Sequence, residues 1–499
     1  MSIKIDREQR PDIDQYMMNF IQAQTGSGGW PLNVFLTPGL KPVHALTYAP
    51  LRTSGNRYSF LYIAQAVIEF IEQRGDNIMS FSPSEQEAPL ADAERLTESL
   101  GEHFDRESGG FGAGQKFPPH STLLFMLYRM AVNGVGKTAE IASGADGTDD
   151  LTSEAGKDRA AGVDTEAGKD RASGADTGKV SEMVATTLDT MLMRGLNDHL
   201  QGGIYRYCVD REWTIPHFEK MLYDQALALW SYSLAYRVTG TDHYRTMAEK
   251  IVKSLDETFL HDGMYVSAFN ADTDHKEGIT YLWSREELAA LLTPAEFDRF
   301  REVYEISIEG NFEGLNHLIR KNSDRIDAIE EKLLTARLKR SQPSRDDKIL
   351  SGLNALTAVA LIQAGRHLGR PDLEAGAVTL VWKLLGTFWD GTSLSHSYFD
   401  GVLQRQSFLS DAAALLLAIT MLYETDESWG ETMTTMAEYV GSFREEGKWV
   451  ESEADDFMKI YASWFDHPAP SAVSLAEMAL TRVALLTGGD VTPAVFRRP

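Results

Sequence analysis

Apolar residues recur at helical spacing along most of this chain, and the exceptions lie near its beginning. From residue 180 onward, apolar positions three and four apart predict about ten helices, joined by loops rich in glycine and aromatic residues. In the first 80 residues, alternation in SIKID, LNVFLT and VHALTYAP predicts strands, and DIDQYMMNFIQAQ and SFLYIAQAVIEFIEQ have helical spacing. We therefore predict an α/β unit at 1–80 and a mainly helical domain at 90–499.

One stretch interrupts the helical pattern. A 12-residue repeat, EAGKDRAAGVDT at 154–165 and EAGKDRASGADT at 166–177, lies within residues 134–179. This stretch is rich in Gly, Ala, Asp and Thr and has almost no large apolar residue, so it cannot bury a core. We predict that 134–179 is a disordered insert in a loop between two helices of the helical domain, where added length costs little.

Charge and cysteine content narrow the possible partners. The formal net charge is −25 and the isoelectric point about 4.9, which argues against nucleic acid or an anionic membrane as the main partner. No run of about 18 apolar residues predicts a membrane span, and the polar start MSIKIDREQR has no signal pattern, so we expect a cytoplasmic protein. The single cysteine, Cys208, allows no intrachain disulfide, and we expect a buried, inert thiol.

The densest group of polar and aromatic residues is at 199–230. Pro216 suits the first turn of a helix, and HFEKMLYDQALALW after it has helical spacing. On that helix His217, Lys220 and Asp224 would share one face. A polar face on so apolar a helix needs either a wet cavity or tight pairing, so both a ligand site and a buried ion-pair network remain open.

Several motifs resemble the spermatogenesis-associated protein 20 family, which joins a thioredoxin-like domain to an (α/α)6 toroid. They are DREQRPDID and GGWPLNVFLTP near the start, the Gly-Gly-Phe-Gly…Lys-Phe-Pro element at 109–118, GNFEGLNHL at 310–318 and DDK at 346–348. The most specific motif comprises Gly202, Gly203, Arg206, Tyr207, Asp210, Trp213, Pro216, His217, Phe218, Glu219, Lys220, Met221, Tyr223, Asp224 and Gln225. The resemblance implies a mainly α fold, a six-hairpin glycosidase-like (α/α)6 toroid preceded by a partial thioredoxin-like α/β domain.

The chain also departs from the family pattern. The resemblance implies a Cys-x-x-Cys helix upstream of Asp6, but only five residues precede Asp6, so we expect no dithiol chemistry from this chain. Pro31 matches the cis-proline position of thioredoxin-like folds. Phe269 and Asn270 stand where the family usually has acidic residues, and Leu353 stands in place of tryptophan. If carboxylates at positions 269 and 270 take part in the chemistry of the family, we expect the activity of this member to be weaker.

A toroid of this kind has a central cavity whose aromatic and acidic residues suit a sugar. A glycosidase needs two carboxylates, and an epimerase needs a base on each face, often histidine. The carboxylates weighed are Glu219, Asp224, Asp272, Glu313, Asp347 and Asp411, and the histidines are His199, His217 and His317. We predict catalytic roles for His217, Glu219, Asp224, Asp272 and Asp347. We predict substrate binding by Arg206, Tyr207, Trp213, Lys220, Tyr223, Trp283, Glu313, His317 and Asn354.

Three functions remain open at this point. The first is a carbohydrate-active enzyme, hydrolase or isomerase, and the second is a non-catalytic protein that binds a sugar or metabolite. The third is a redox-linked adaptor, which the absent Cys-x-x-Cys disfavours. We expect a small sugar-like ligand and no cofactor, and we expect no metal because no tight ligand spacing such as His-Glu-x-x-His occurs. The oligomeric state cannot be read from the sequence.

Overall fold

Fifteen α-helices make up most of the described chain, which in this computed structural model comprises residues 1–55, 57–82, 92–142, 166–453, 456–466 and 468–489. In chain order they are α1 (Pro11–Thr25), α2 (Phe60–Arg74), α3 (Ala93–His103), α4 (His120–Ala142), α5 (Glu166–Met193), α6 (Leu222–Thr239), α7 (Asp242–Ser254), α8 (Arg285–Leu291), α9 (Pro294–Val303), α10 (Asp327–Arg337), α11 (Ser351–Leu368), α12 (Pro371–Phe388), α13 (Leu409–Tyr423), α14 (Gly430–Ser442) and α15 (Ala472–Thr487). Among these described helices, none combines the length and apolar character that crossing a membrane requires.

The strands are short and form small antiparallel sheets. They are β1 (Asn33–Leu36), β2 (Pro42–Leu46), β3 (Tyr207–Cys208), β4 (Pro216–His217), β5 (Lys220–Met221), β6 (Leu260–His261), β7 (Met264–Tyr265), β8 (Ala268–Phe269), β9 (Asp272–Thr273), β10 (Lys276–Glu277), β11 (Arg345–Asp346), β12 (Ile349–Leu350), β13 (Ser397–Phe399), β14 (Val402–Gln404), β15 (Arg444–Glu445) and β16 (Lys448–Trp449). Three of them, β5, β8 and β11, form one sheet, and β12, β13 and β14 form another. These sheets lie in the loops between helices and fix the ends of the helices.

The helices form two layers that alternate along the chain. In α6, α11 and α13 nearly every residue is buried, as expected for helices that are apolar on all sides. Helix α4 packs on α6, α6 on α11, α11 on α13 and α13 on α15, which gives five inner helices in the described part of the chain. Helices α5, α7, α12 and α14 each pack outside the inner helix that precedes them. The predicted fold class, an α/α toroid after a thioredoxin-like α/β unit, is confirmed.

The N-terminal unit contains α1, the β1–β2 hairpin and α2. Its hairpin pairs Val34 with Ala45, and α1 packs against β2. Tyr16 of α1 contacts Phe457 of the helical domain with a ring-centroid distance of 5.5 Å, so the unit lies against the toroid. The predicted strand SIKID is absent from the described residues, because residues 1–6 lie exposed and have no strand partner. The Trp30–Pro31 peptide bond is cis, as predicted.

The predicted helix start at Pro216 is wrong. Pro216 and His217 form β4, which pairs with β3, and Lys220 lies in β5 opposite Phe269. Helix α6 begins only at Leu222. His217, Lys220 and Asp224 therefore do not share a helix face. Their spacing fits a helix, but cross-strand hydrogen bonds satisfy the backbone of this segment instead.

Helices replace the predicted disorder before the repeat and in its second copy. Helix α4 runs to Ala142 and α5 begins at Glu166, so 134–142 and 166–179 are helical. Ala, Lys and Glu occur in both helical parts and favour helix, although both parts also contain glycine. Residues 143–165 lie outside the described residues.

A buried ion-pair network joins the loop after α5 to α10. Asp198 accepts hydrogen bonds from Lys220 Nζ at 2.7 Å and from both terminal nitrogens of Arg337 at 2.8 and 2.9 Å. All three side chains are buried. Burial opposes ionisation of Asp198, but Arg337 and Lys220 outweigh it and lower the pKa of this carboxyl. For Lys220, tight pairing is therefore the interpretation that the geometry supports.

We expect Asp198→Asn to lower the free energy of unfolding by about 3–5 kcal/mol, because it leaves two buried cations without a carboxylate. Urea denaturation followed by circular dichroism measures the change. The control is Asp347→Asn, since Asp347 is about half exposed and pairs with Arg345 on the surface, where a pair contributes about 0–1 kcal/mol. Equal denaturation midpoints for the two variants would show that the network does not stabilise the fold.

Candidate functional site

A cavity of about 1040 Å³ lies where the N-terminal ends of α6, α11, α13 and α15 meet the N-terminal unit. The loop before α4 and the segment before α1 complete its walls. Its titratable and hydroxyl-bearing lining residues are Arg7, Glu8, Asp14, Arg206, Tyr207, Tyr223, Asp224, His396, Ser410 and Asp411. The inner helices α6 and α13 are apolar along most of their lengths, and each carries its acidic residue, Asp224 or Asp411, in the first turn, which lines this cavity.

Asp224 is the most perturbed acid of the cavity wall. It lies in the first turn of α6 and is 2% exposed. His120 Nε2 is 3.3 Å from its Oδ1, whereas Oδ2 has no hydrogen-bond partner among the described residues. Burial raises the pKa of Asp224 to about 6, although His120 acts against this shift. A carboxyl group with this pKa can donate a proton near neutral pH.

Arg206 and Tyr223 lie beside Asp224. Arg206 is held by Glu219, whose Oε2 accepts a hydrogen bond from the guanidinium at 2.9 Å. Arg206 Nε and the Tyr223 hydroxyl are buried and have no hydrogen-bond partner among the described residues. Burial raises the pKa of Tyr223, so its hydroxyl stays neutral and can donate to a ligand oxygen.

Asp411, in the first turn of α13, and His396 form a second acidic group of the cavity wall. His396 Nδ1 lies 2.6 Å from Asp411 Oδ2, and its Nε2 lies 2.6 Å from the Glu8 carbonyl oxygen. Burial opposes protonation of His396, but Asp411 and Glu8 outweigh it and raise the pKa of the imidazole. Asp411 Oδ1 also accepts a hydrogen bond from the Gly352 N–H at 3.1 Å. A Cβ at position 352 would lie 2.3 Å from that oxygen, so only glycine fits there.

A further acid, Glu451, is affected by the charge of Asp411. Burial raises the pKa of Glu451 to about 8, and the neighbouring carboxylates Asp12 and Asp411 add to the shift. Glu451 therefore stays protonated at neutral pH and adds no charge to the region around Asp411. The described residues bring together no group of three or more His, Cys, Asp or Glu side chains that could hold a metal ion.

Four predicted site residues line the cavity: Arg206, Tyr207, Tyr223 and Asp224. Two more stand directly behind them. His217 stacks on Tyr207 with ring centroids 5.2 Å apart, and its Nδ1 lies 2.7 Å from Glu277. Glu219 holds Arg206, as described above. His217 and Glu219 thus position cavity residues rather than line the cavity.

The remaining predicted residues lie elsewhere. Those that are buried in structural roles are Trp213, Lys220, Trp283, His317 and Asn354, together with His199 from the wider set of histidines. His317 Nε2, for example, contacts the Gly195 carbonyl at 2.7 Å, and burial lowers its pKa to about 4. Asn354 bonds the backbone of Tyr265. Those that are exposed are Asp272, Glu313 and Asp347.

Sequence reasoning missed His120 and His396 and left Asp411 as a carboxylate without a chosen role. Each had a signal. His120 follows Phe-Pro-Pro directly before an apolar helix, and Asp411 is the acidic residue in the first turn of the all-apolar α13. His396 directly precedes β13, and only the fold reveals that its side chain contacts Asp411.

Two departures from the family pattern do not affect the cavity wall. Phe269 lies in β8 and packs on Phe259, with ring centroids 5.0 Å apart. Asn270 bonds Ser344. Neither residue lines the cavity. The absence of carboxylates at these two positions therefore leaves the acids of the cavity unchanged.

The fold and cavity define a class of protein: an α/α toroid with two buried acids at its mouth, covered by a thioredoxin-like unit. The family Thioredox_DsbH, described as a protein of unknown function (DUF255), matches residues 1–88. Human spermatogenesis-associated protein 20 is 28% identical over 75% of this chain and 50% of its own length, and the mouse protein is 26% identical over 86% and 58%. The resemblance to the spermatogenesis-associated protein 20 family is confirmed, and the chain spans about half the length of these relatives.

Solved structures with partial similarity include two proteins that act on sugars. A family 76 glycoside hydrolase (mannosidase) from Bacteroides thetaiotaomicron is 9% identical with a TM-score of 0.41, over 79% of this chain and 81% of the enzyme. A sugar epimerase from a ruminal bacterium is 14% identical with a TM-score of 0.35, over 79% and 97%.

We expect Asp224→Asn to be more stable than the wild-type protein above pH 6. The ordinary carboxyl pKa near 3.8 applies to the unfolded chain and about 6 to the folded one, so the folded state binds more protons between these values. Stability from this group is therefore present below pH 4 and is lost as pH rises through 6, by at most about 3 kcal/mol. Asparagine does not titrate and avoids this loss.

Melting temperatures of both proteins at pH 4, 5, 6 and 7 measure the effect. Subtracting one melting temperature from the other at each pH removes the contributions of titrating groups that both proteins share, such as Glu451. A difference that stays constant from pH 4 to pH 7 would contradict a raised pKa for Asp224.

Proposed function

We propose that this protein hydrolyses a glycosidic bond in the cavity, with Asp224 as the general acid and Asp411 as the second carboxylate. The observation that carries the proposal is the contrast between these two acids. Asp224 is buried with one oxygen unpartnered and a pKa of about 6, whereas Asp411 is paired with His396. Glycoside hydrolysis uses two carboxyl groups, and their different surroundings assign one to the acid role and the other to the nucleophile or base role.

The rest of the lining suits a sugar ring. Phe117 and Tyr207 stack on one another with ring centroids 4.6 Å apart at one wall, and Trp30 lines another. Aromatic faces bind the C–H surfaces of sugars, and the unpartnered Tyr223 hydroxyl and Arg206 Nε can bond hydroxyl groups. In the proposed reaction Asp224 protonates the leaving oxygen, and Asp411 activates water or attacks the anomeric carbon.

The positions of the histidines favour hydrolysis over isomerisation. An isomerase needs bases that exchange protons with the substrate. His199, His217 and His317 do not line the cavity. His396 does, but both of its ring nitrogens are occupied, by Asp411 and by the Glu8 carbonyl. No histidine of the described cavity lining therefore has a nitrogen available to a substrate.

The second candidate is a protein that binds a sugar without converting it. One observation favours it: both oxygens of Asp411 already accept hydrogen bonds, from His396 and from the Gly352 N–H. A carboxylate held in this way is a weaker nucleophile or base, and it suits a binding role. Product analysis separates the two candidates.

We expect a sugar from a panel of mono- and oligosaccharides to raise the melting temperature, because a ligand at 100 times its Kd stabilises the folded state by about 2.7 kcal/mol. Asp224→Asn and Asp411→Asn should abolish product formation, and turnover should require protonated Asp224 and thus fall as pH rises above 6. The assay is chromatography of the products formed with each stabilising sugar.

The matched control is Asp272→Asn, which changes an exposed carboxylate outside the cavity and should leave turnover intact. Sugar binding with no product in the wild-type protein would select the binding protein. Absence of any shift with folded protein would reject both candidates.

A further inference from the structure

We propose that the ligand of this cavity carries an anionic group, a carboxylate or a phosphate, and that Arg7 of the N-terminal unit binds it. This inference rests on the proposed sugar site and assigns the class of sugar: a uronic acid or a sugar phosphate rather than a neutral sugar. It also gives the N-terminal unit a direct part in recognition.

Ion pairs and a hydrogen bond hold residues 6–8, the segment that contains Arg7, against the helical domain beside the cavity. Lys348 Nζ lies 2.5 Å from Asp6 Oδ2 and 3.1 Å from Glu8 Oε2, so one lysine holds the residues on both sides of Arg7. The Glu8 carbonyl oxygen accepts the hydrogen bond from His396 described above. Since its two neighbours are bound in this way, the position of Arg7 over the cavity is fixed.

The guanidinium of Arg7 packs on the Trp30 ring but has no ionic partner among the described residues. Its central carbon lies 4.0 Å from the ring centroid of Trp30, whose Nε1 donates to Asp14 Oδ1 at 2.8 Å. No carboxylate of the described residues lies within ion-pair distance of Arg7, although Asp6 and Glu8 adjoin it in sequence. Arg7 lines the cavity, and a guanidinium without an ionic partner fits a carboxylate or phosphate with two parallel hydrogen bonds.

A second cation faces the same part of the cavity. Arg206 and Tyr223 line the cavity together with Arg7, and the positive charges of both arginines act against the rise in the pKa of Tyr223 that burial causes. The Nε of Arg206 has no hydrogen-bond partner. The charge of Arg206 is paired with Glu219, so Arg206 contributes an unpartnered N–H donor to the cavity, whereas Arg7 contributes a charge without an ionic partner among the described residues.

Three of the four acids in the lining do not cancel this charge, and the fourth, Asp14, accepts the hydrogen bond from Trp30 Nε1 described above. Glu8 is bound by Lys348, and Asp411 is bound by His396. Asp224 is protonated below about pH 6. A neutral sugar would leave the Arg7 guanidinium without an ionic partner, whereas an anionic group would neutralise it. The cavity therefore favours an anion despite the net charge of −25 on the whole chain.

The test is isothermal titration of the full chain with D-glucose, D-glucuronate, D-glucose 6-phosphate and inorganic phosphate at pH 6. The variants are Arg7→Gln, Arg7→Lys and the control Arg52→Gln, which changes an exposed arginine of the same unit outside the cavity. We expect at least one acidic sugar to bind roughly tenfold or more tightly than glucose. Arg7→Gln should weaken that binding by a similar factor, and Arg7→Lys should restore it only in part. Far-ultraviolet circular dichroism confirms that each variant is folded.

Each outcome decides the question. Tighter binding of glucuronate points to a carboxylate, and tighter binding of glucose 6-phosphate to a phosphate. Glucose bound as tightly as both acidic sugars, or acidic binding unchanged in Arg7→Gln, would overturn the inference and leave the sugar site standing. Inorganic phosphate bound through Arg7 without any sugar would support the anion site and reject glycoside hydrolysis. No binding of any compound would overturn both.

Discussion

The burial of three inner helices on all their sides is the constraint from which the rest of the structure follows. Helices α6, α11 and α13 bury nearly every side chain, and an unpaired charge in their middle would cost several kcal/mol. Charged side chains are therefore confined to their ends. Asp224 and Asp411 lie in two of these first turns, so close packing of the toroid itself brings the two acids to one cavity.

The sequence contains enough information for the helices and their order but not for the cavity wall. Apolar spacing locates α6, α11 and α13 because their patterns are long. It misplaces the start of α6, because PHFEKM fits a helix and two short strands equally well, and only pairing with β3 and β8 decides. Asp224 could be chosen from the sequence because it is a carboxylate of the family motif and lies just before the apolar run at 226–230.

Residues that act through distant partners could not be predicted. Lys220 and Asp224 are four residues apart, yet one is locked in an ion-pair network with Arg337 and the other faces the cavity. Their difference comes from residues more than 100 positions away, His120 and Arg337. The contact of His396 with Glu8 joins residues separated by 388 positions, so no local pattern could reveal it.

That long-range contact gives the N-terminal unit a role that does not depend on dithiol chemistry. His396 bridges Asp411 of the toroid and the backbone of Glu8, so the same imidazole that orients one acid of the cavity also fixes the segment that closes its mouth. Lys348 adds a second tie from the loop before α11. Loosening the segment would free one nitrogen of His396 and withdraw Arg7 and Glu8 from the cavity wall. The geometry of the acids and the closure of the cavity are thus coupled through a single side chain.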